Sequence, residues 1–304
     1  MDISIIIVSF NTKDITLQCV HELDLLFDLS PSVKSEVIVV DNASTDGSAK
    51  ELAKISMVHA QYSFIGNATN MGFSKANNVG LAKATGRYVL FLNSDVMVST
   101  TNKPVDFSKL VQYMDSHAEV GALTVRVDLP DGQIDPACHR GFPTPWRSLT
   151  YFLKAEALMQ KLHITNRGLR TIFGSYHLLG EDMGTQHVID SGTGAFLLSP
   201  KRLVDELKGF DEQFFMYGED LDLCYRMKEK GYQVVWYPSY TVTHLKYQSG
   251  LQSRDTSTKQ KIRWHFYDAM ERFYRKHYEK KSCPCINIVI LTIIRLIKRK
   301  FFVE

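Results

Sequence analysis

The stretch Glu36-Val37-Ile38-Val39-Val40-Asp41-Asn42-Ala43-Ser44-Thr45-Asp46-Gly47 decides the fold. Four apolar β-branched residues in a row, with no polar alternation, describe a strand buried on both faces, as in a parallel sheet covered by helices. Asp41 and Asn42 follow at once, and Ser44 and Asp46 supply capping chemistry for the next helix. The same pattern extends outward. Ile3–Phe10 is a run of this kind upstream and Tyr88–Leu92 another downstream, with helical stretches at Asp14–Leu29, Gly47–Ile55 and Ser74–Ala84 between them. This β-α-β-α alternation predicts a wound α/β sheet. Ligands of such sheets sit at the carboxyl ends of the strands, which singles out Ser9 and Asn11, Asp41 and Asn42, and Asn93-Ser94-Asp95.

The second half reads less regularly. Ala122–Val127 and Ile134, joined by Pro130-Asp131-Gly132, predict a hairpin. Residues 142–187 hold six Gly/Pro around a helix expected at Ser148–Leu162, and fit an acceptor flap or an irregular insertion. Order resumes at Val188–Ser199, a helix after Pro200, a helix at Asp220–Lys230 and a strand at Tyr232–Tyr237. The helix opens in Tyr217-Gly218-Glu219-Asp220-Leu221-Asp222. Acids in a first turn are favoured by the helix's unsatisfied amides, but three of them exceed that need. A carboxylate among like charges has a raised pKa and suits a general base, with its neighbours orienting it.

Composition bounds the rest. With 304 residues, 44% apolar and 11% aromatic, the chain can build a globular core. Residues 259–304 carry twelve Lys/Arg against four Asp/Glu, whereas the remainder is net acidic. Within that tail Ile286–Ile294 is too short to span a bilayer. As a helix it places Thr292, Arg295, Lys298 and Arg299 on one side and Ile290, Ile293, Ile294, Ile297 and Phe301 on the other. That predicts an interfacial helix on anionic lipid, with a homodimer docking helix as the alternative. No recognition fold accompanies the charge, so nucleic acid is not the expected partner. Five scattered cysteines form no disulfide framework, and no signal peptide precedes Ile3, so a cytoplasmic location is expected.

Taken in order, Ser9-Phe10-Asn11, Asp41-Asn42, Asn70-Met71-Gly72-Phe73, Asn77-Asn78-Val79-Gly80, Leu92-Asn93-Ser94-Asp95, Phe215–Arg226 and His244 resemble an inverting GT-A glycosyltransferase of family 2, in its rhamnosyltransferase-like branch. The resemblance covers Ile3–His244. It implies that Asp41 reads a pyrimidine, that Asn11 and Asn42 line the nucleoside pocket, and that Ser9, Asn70, Gly72, Asn77 and Ser94 belong to the donor-binding half. It further implies that Asp95 and His244 hold Mg²⁺ or Mn²⁺ on the donor diphosphate. Asp220 would be the base, Glu219 and Asp222 its supporting acids, Arg140 a group near the diphosphate and Asp190 a sugar or acceptor contact. Two positions depart from the family pattern, Asn93 in place of Asp and Asn77 in place of Arg.

The implied reaction is transfer of a sugar, L-rhamnose from dTDP-L-rhamnose first among candidates, to a lipid-linked or growing surface polysaccharide. A UDP-sugar donor and a catalytically silent nucleotide-sugar-binding protein are the alternatives. A nucleotidyltransferase would need a glycine-rich loop where Phe10-Asn11-Thr12-Lys13 stands. The expected organisation is a GT-A domain over 1–255, split at 120/121 into donor and acceptor halves, and a basic helical tail over 256–304. That tail would hold the enzyme peripherally on the inner face of the cell membrane, near a polyprenyl-diphosphate-linked acceptor.

Overall fold

The computed structural model describes residues 1–99, 103–246 and 256–302, so the expected boundary at 255/256 lies at the edge of a stretch outside the described residues. Its strands are β1 (Ile3–Ser9), β2 (Ser35–Asp41), β3 (Tyr62–Gly66), β4 (Tyr88–Asn93), β5 (Val96–Met97), β6 (Val120–Asp128), β7 (His187–Ile189), β8 (Phe196–Pro200) and β9 (Gln233–His244). The helices are α1 (Lys13–Leu29), α2 (Ser48–Val58), α3 (Phe73–Leu81), α4 (Phe107–Ser116), α5 (Pro145–Phe152), α6 (Ala155–Lys161), α7 (Arg167–Phe173), α8 (Lys201–Glu206), α9 (Glu219–Glu229), α10 (Thr256–His277) and α11 (Pro284–Arg299).

One sheet runs in the order β3-β2-β1-β4-β8-β6-β9-β5, with β7 paired to β9. From β3 to β4 every pairing is parallel, as the uninterrupted apolar runs predict. Beyond β4 the sheet is mixed: β8 is antiparallel to β4 and β6, β6 is parallel to β9, and β5 and β7 are antiparallel to β9. An apolar run reports burial, not direction, so the mixed half was not legible from periodicity. The chain moves from β1 to β2 on one side and to β4 on the other, so the loops after β1 and β4 part at a topological switch point. In register across that edge lie Ser9 opposite Asp41 and Val8 opposite Asn93.

Several local expectations change. The hairpin after β6 shrinks to an isolated bridge between Asp128 and Ile134. The single helix expected at Ser148–Leu162 divides into α5 and α6, because Lys154 adopts a left-handed φ of 55°. The tail is not an appendage. Helix α10 packs on α9, where His277 and Lys276 each lie 2.7 Å from Asp222. α11 then docks on α10 by burying Leu291 and Ile294. Arg295 and Lys298, expected to face lipid, instead pair with Glu271 at 2.8 and 2.7 Å. The acids of α10 attract the cationic side of α11, and its apolar edge of Ile286, Val289, Ile293 and Leu296 is left exposed.

Candidate active site

On the donor side, β2 carries Asp41 into a buried position just beyond the sheet. Its Oδ2 accepts from the Ser44 amide at 2.9 Å, while Oδ1 is buried with no partner. An unpaired buried carboxylate oxygen is costly, so this atom is available for a ligand donor. Ser9 is buried and bonds to Thr12 and Thr16, and Ser94 lies 3.4 Å from Thr12. Asn11, with φ of 54°, accepts from the Thr45 amide at 2.7 Å and so braces the loop after β2.

Asn42 does not offer its amide to this space. Its Nδ2 donates to Asn70 Oδ1 and the Gly72 carbonyl, and its Oδ1 accepts from Asn67 and from the Met71 amide. It therefore shapes the Asn70–Gly72 loop. Gly72, at φ 84°, is required because a Cβ there would lie 2.5 Å from the Phe215 carbonyl, which itself accepts from the Phe73 amide at 2.7 Å. The Asn-x-Gly-Phe motif thus clamps the donor half to the loop that leads into α9. Asn77 is also turned inward, bonding back to the Phe73 carbonyl at 3.0 Å.

At the switch point Asp95 Oδ1 and His244 Nε2 face each other at 3.2 Å, both nearly buried. The other ring nitrogen of His244 donates to Asp135 Oδ2 at 3.0 Å, and Asp135 Oδ1 accepts from Lys246 at 2.7 Å. Burial opposes the charged imidazole, but the bonds to Asp135 and Asp95 prevail and lift its pKa to about 9. Asp135 is held well below the usual carboxylate range by His244 and Lys246 despite complete burial. A carboxylate oxygen and an imidazole nitrogen, with a buried carboxylate fixing the ring from behind, form a donor set that suits a hard divalent cation completed by phosphate oxygens. Among the described residues there is no cluster of three or more His, Cys, Asp or Glu that could hold a metal without such outside ligands. Asp135 escaped the sequence reading: before Pro136 it signals only a turn cap, and its contact with His244 joins residues 109 positions apart.

Across the cavity, consecutive left-handed residues Tyr217 (φ 68°) and Gly218 (φ 80°) turn the chain sharply into α9. Glu219 and Asp220 start the helix and both are buried. Asp220 Oδ2 accepts from Arg140 at 2.8 Å and from the Gly194 amide at 3.2 Å, and Oδ1 accepts from the Leu221 amide at 2.7 Å. Arg140 is thereby placed against the acid pair, with Nε buried and unpartnered. Glu219 Oε2 has no partner either, and burial, followed by the charge of Asp220, raises its pKa well above the carboxylate range.

Two acids lie elsewhere than expected. Asp222, cast as a support for Asp220, points to the opposite side and bonds to Arg226 and His277, each at 2.7 Å. Two residues past Asp220, a rotation of about 200° along the helix, it faces α10. Asp190, expected at the sugar, accepts from Arg147 at 2.5 Å and Lys228 at 2.6 Å and ties α5 to α9. Both of its oxygens are neutralised away from the cavity.

The cavity has a volume of about 1050 Å³ and is lined by Asn93, Asp135, Arg140, Glu219, Asp220 and His244, among others. Asp95 touches it through His244, whereas Ser9, Asn11 and Asp41 lie along the same strand edge outside it. Helix α10 and Phe301 supply one aromatic part of its wall, and Tyr151, Phe152, Tyr176, Tyr217 and Phe73 another.

A buried strand-end acid, a carboxylate–imidazole pair at the switch point and an acid-bearing helix start on one α/β sheet define a GT-A-type transferase. The model of glycosyl transferase family 2 matches residues 4–174, and that of glycosyl transferase family group 2 matches residues 142–282. The chain belongs to glycosyl transferase family 2. It is 24% identical over 280 residues to rhamnosyltransferase WbbL of Escherichia coli, covering 90% of this chain and 92% of that one. It is likewise 24% identical to the N-acetylglucosaminyl-diphospho-decaprenol L-rhamnosyltransferase of Mycobacterium tuberculosis, over 70% of this chain and 67% of the other. An uncharacterized protein of Sinorhizobium fredii is also 24% identical, but the chain spans only 24% of its length. In fold, the mannosyltransferase PcManGT of Pyrobaculum calidifontis, solved with GDP-Man and Mn²⁺, aligns at a TM-score of 0.57 and 16% identity, covering 98% of this chain and 71% of that one. S. aureus TarS in complex with UDP-GlcNAc aligns at 0.55 and 18% identity, covering 99% and 73%.

Proposed function

We propose that this glycosyltransferase is an inverting enzyme that moves L-rhamnose from dTDP-L-rhamnose to a lipid-linked or growing cell-surface polysaccharide. One observation carries the reaction: His244, paired with Asp95 behind it, lines the same cavity as Glu219 and Asp220. Asp41 Oδ1, buried and unpartnered, is suited to accept the ring N–H of a pyrimidine. Asp95 Oδ1 and His244 Nε2 would hold Mg²⁺ or Mn²⁺, which as a Lewis acid stabilises the charge that develops on a departing diphosphate. Asp135 keeps the His244 ring aimed at Asp95.

A carboxylate offers about four acceptor positions, and Asp220 uses three of them on Arg140, Gly194 and Leu221. The one remaining on Oδ1 can take the proton of an acceptor hydroxyl as it attacks. Arg140 and the Gly194 amide fix the carboxylate plane. Glu219, kept neutral by burial, adds a hydrogen-bond donor beside the base rather than a second negative charge. A single base and a single displacement give inversion.

The rhamnosyl donor is supported by the two rhamnosyltransferase relatives. The UDP-GlcNAc complex of TarS favours a UDP-sugar as the second reading. No described helix is long and apolar enough to cross a membrane. The proposed attachment is peripheral, at the inner face of the cell membrane, through the exposed apolar edge of α11 and the cations Arg299 and Lys300 at its end. A homodimer through that edge is the alternative. Thermal shift with Mn²⁺ and a panel of nucleotide sugars tests the donor, since a ligand at a hundred times its Kd stabilises by about 2.7 kcal/mol. dTDP-L-rhamnose should give the largest shift; a larger shift with a UDP-sugar would replace it.

A further inference from the structure

Helices α5, α6 and α7 are rich in large apolar side chains that the protein does not bury. α5 buries only Thr150, α6 only Met159 and α7 none of its residues. Leu149, Leu153, Leu158, Leu162, Leu169 and Ile172 are each 42–70% exposed. Trp146 Nε1 donates to the Ile172 carbonyl at 3.0 Å, so α5 and α7 are joined. A leucine-bearing helical layer with almost no buried apolar side marks contact with another surface.

Charge and position say which surface. Residues 145–173 carry five Lys/Arg and one acid, Glu156, which is engaged by His177; Arg147 answers to Asp190 and Arg167 to Glu181, so Lys154, Lys161 and Arg170 supply the cationic frame. Exposed leucines within a cationic frame are the composition of a segment lying in the headgroup region of an anionic bilayer. The layer also runs directly into the cavity, whose wall includes Ser148, Tyr151, Phe152 and Lys154. Facing them across the cavity are Phe266 and Tyr267 of α10, and Phe301 beyond α11.

We propose that α5–α7 form a second lipid-contact surface, independent of α11, and that Tyr151 and Phe152 guide an acceptor carried on a hydrocarbon chain from the bilayer to Glu219 and Asp220. The lipid contact stands by itself; the guiding role rests on the glycosyl-transfer reading. An acceptor anchored in lipid has to reach a buried base without crossing water, and an apolar wall continuous with the bilayer supplies that route.

The test uses the full-length protein and vesicles of phosphatidylcholine with 30% phosphatidylglycerol. The variant Leu153→Ser/Leu158→Ser/Leu162→Ser should lose on the order of tenfold or more in vesicle affinity at low and high salt alike. Its melting temperature should match the parent, because all three leucines are exposed. Lys161→Glu/Arg170→Glu should weaken binding roughly fivefold per residue at low salt and little at 0.5 M salt. Brominated lipid should quench a tryptophan signal that Trp146→Phe removes. Unchanged vesicle affinity in the triple-serine variant overturns the proposal, whether α11 alone then holds the protein or the variant instead splits a dimer. A truncation after Pro284 that binds vesicles as well as the full chain defeats only the α11 reading. If the triple-serine variant loses vesicle binding while the parent turns over no sugar nucleotide with Mn²⁺, the lipid surface stands and the glycosyl-transfer reading falls.

Discussion

Helices α9 and α11 carry opposite charge, and in both part of that charge answers to the helix between them. The acid-rich start of α9 looks like a catalytic cluster, yet Asp222 is held by His277 and Lys276 of α10. The cationic side of α11 looks like a lipid-binding surface, yet Arg295 and Lys298 are held by Glu271 and Asp268 of α10. What α10 leaves to other partners is Glu219 and Asp220 in α9, the latter braced by Arg140, and the apolar edge in α11. A run of like charge therefore identifies a partner's sign without saying whether the partner is a ligand or the next helix.

The largest expected effect separates the two roles within α9. Asp220→Asn should leave nucleotide-sugar binding nearly intact and lower turnover roughly 10²–10⁴-fold, the range for a lost general base. Steady-state kinetics with a short soluble acceptor would read this, and a deeper loss in Glu219→Gln would move the base to Glu219. Asp222→Ala should instead cost stability, up to about 3–5 kcal/mol, because it removes the buried carboxylate shared by Arg226, Lys276 and His277. Urea unfolding measures that, and turnover per folded molecule should change far less than in Asp220→Asn.

The same residue fixes a pH dependence. The bond from His277 and the charges of Arg226 and Lys276 overcome the effect of burial and depress the Asp222 pKa in the folded state. Its contribution is thus fully present above the unfolded carboxylate value of about 4 and is lost as pH falls through the folded value. The urea midpoint of the parent should drop as pH falls below the unfolded carboxylate value of about 4, and Asp222→Ala should flatten that drop.

Next in size is the imidazole's support. Asp135→Asn should weaken Mn²⁺ affinity about 10–100-fold, the range for a partner behind a metal-bound histidine, with the nucleotide-sugar preference unchanged. Manganese titration by calorimetry checks it, and unaltered affinity would detach Asp135 from the metal site. The smallest effect belongs to α11. Arg295→Ala removes a half-exposed ion pair and should cost no more than about 1 kcal/mol, read as faster amide exchange within α11 while the sheet is unaffected. A global loss of stability would show that α11 is integral to the domain rather than docked on it.

Much of this molecule is legible along the chain. Continuous apolar runs, each followed at once by a polar residue, place Asp41, Asn93 and Asp95 at strand ends, because burial on both faces and the sudden return to water are local properties of sequence. The Asn70–Phe73 and Phe215–Arg226 motifs could be read as parts of one site only through the family resemblance. What tertiary structure alone decides is the assignment of each polar group to a partner. Asn42 and Asn77 serve the backbone, Asp190 and Asp222 serve neighbouring helices, and Asp135, silent in the sequence, holds His244. Apart from the bond of Asn77 to Phe73 four positions back, these contacts join residues tens to more than a hundred positions apart, and a side chain's periodicity encodes which face it occupies but not which distant charge will meet it there.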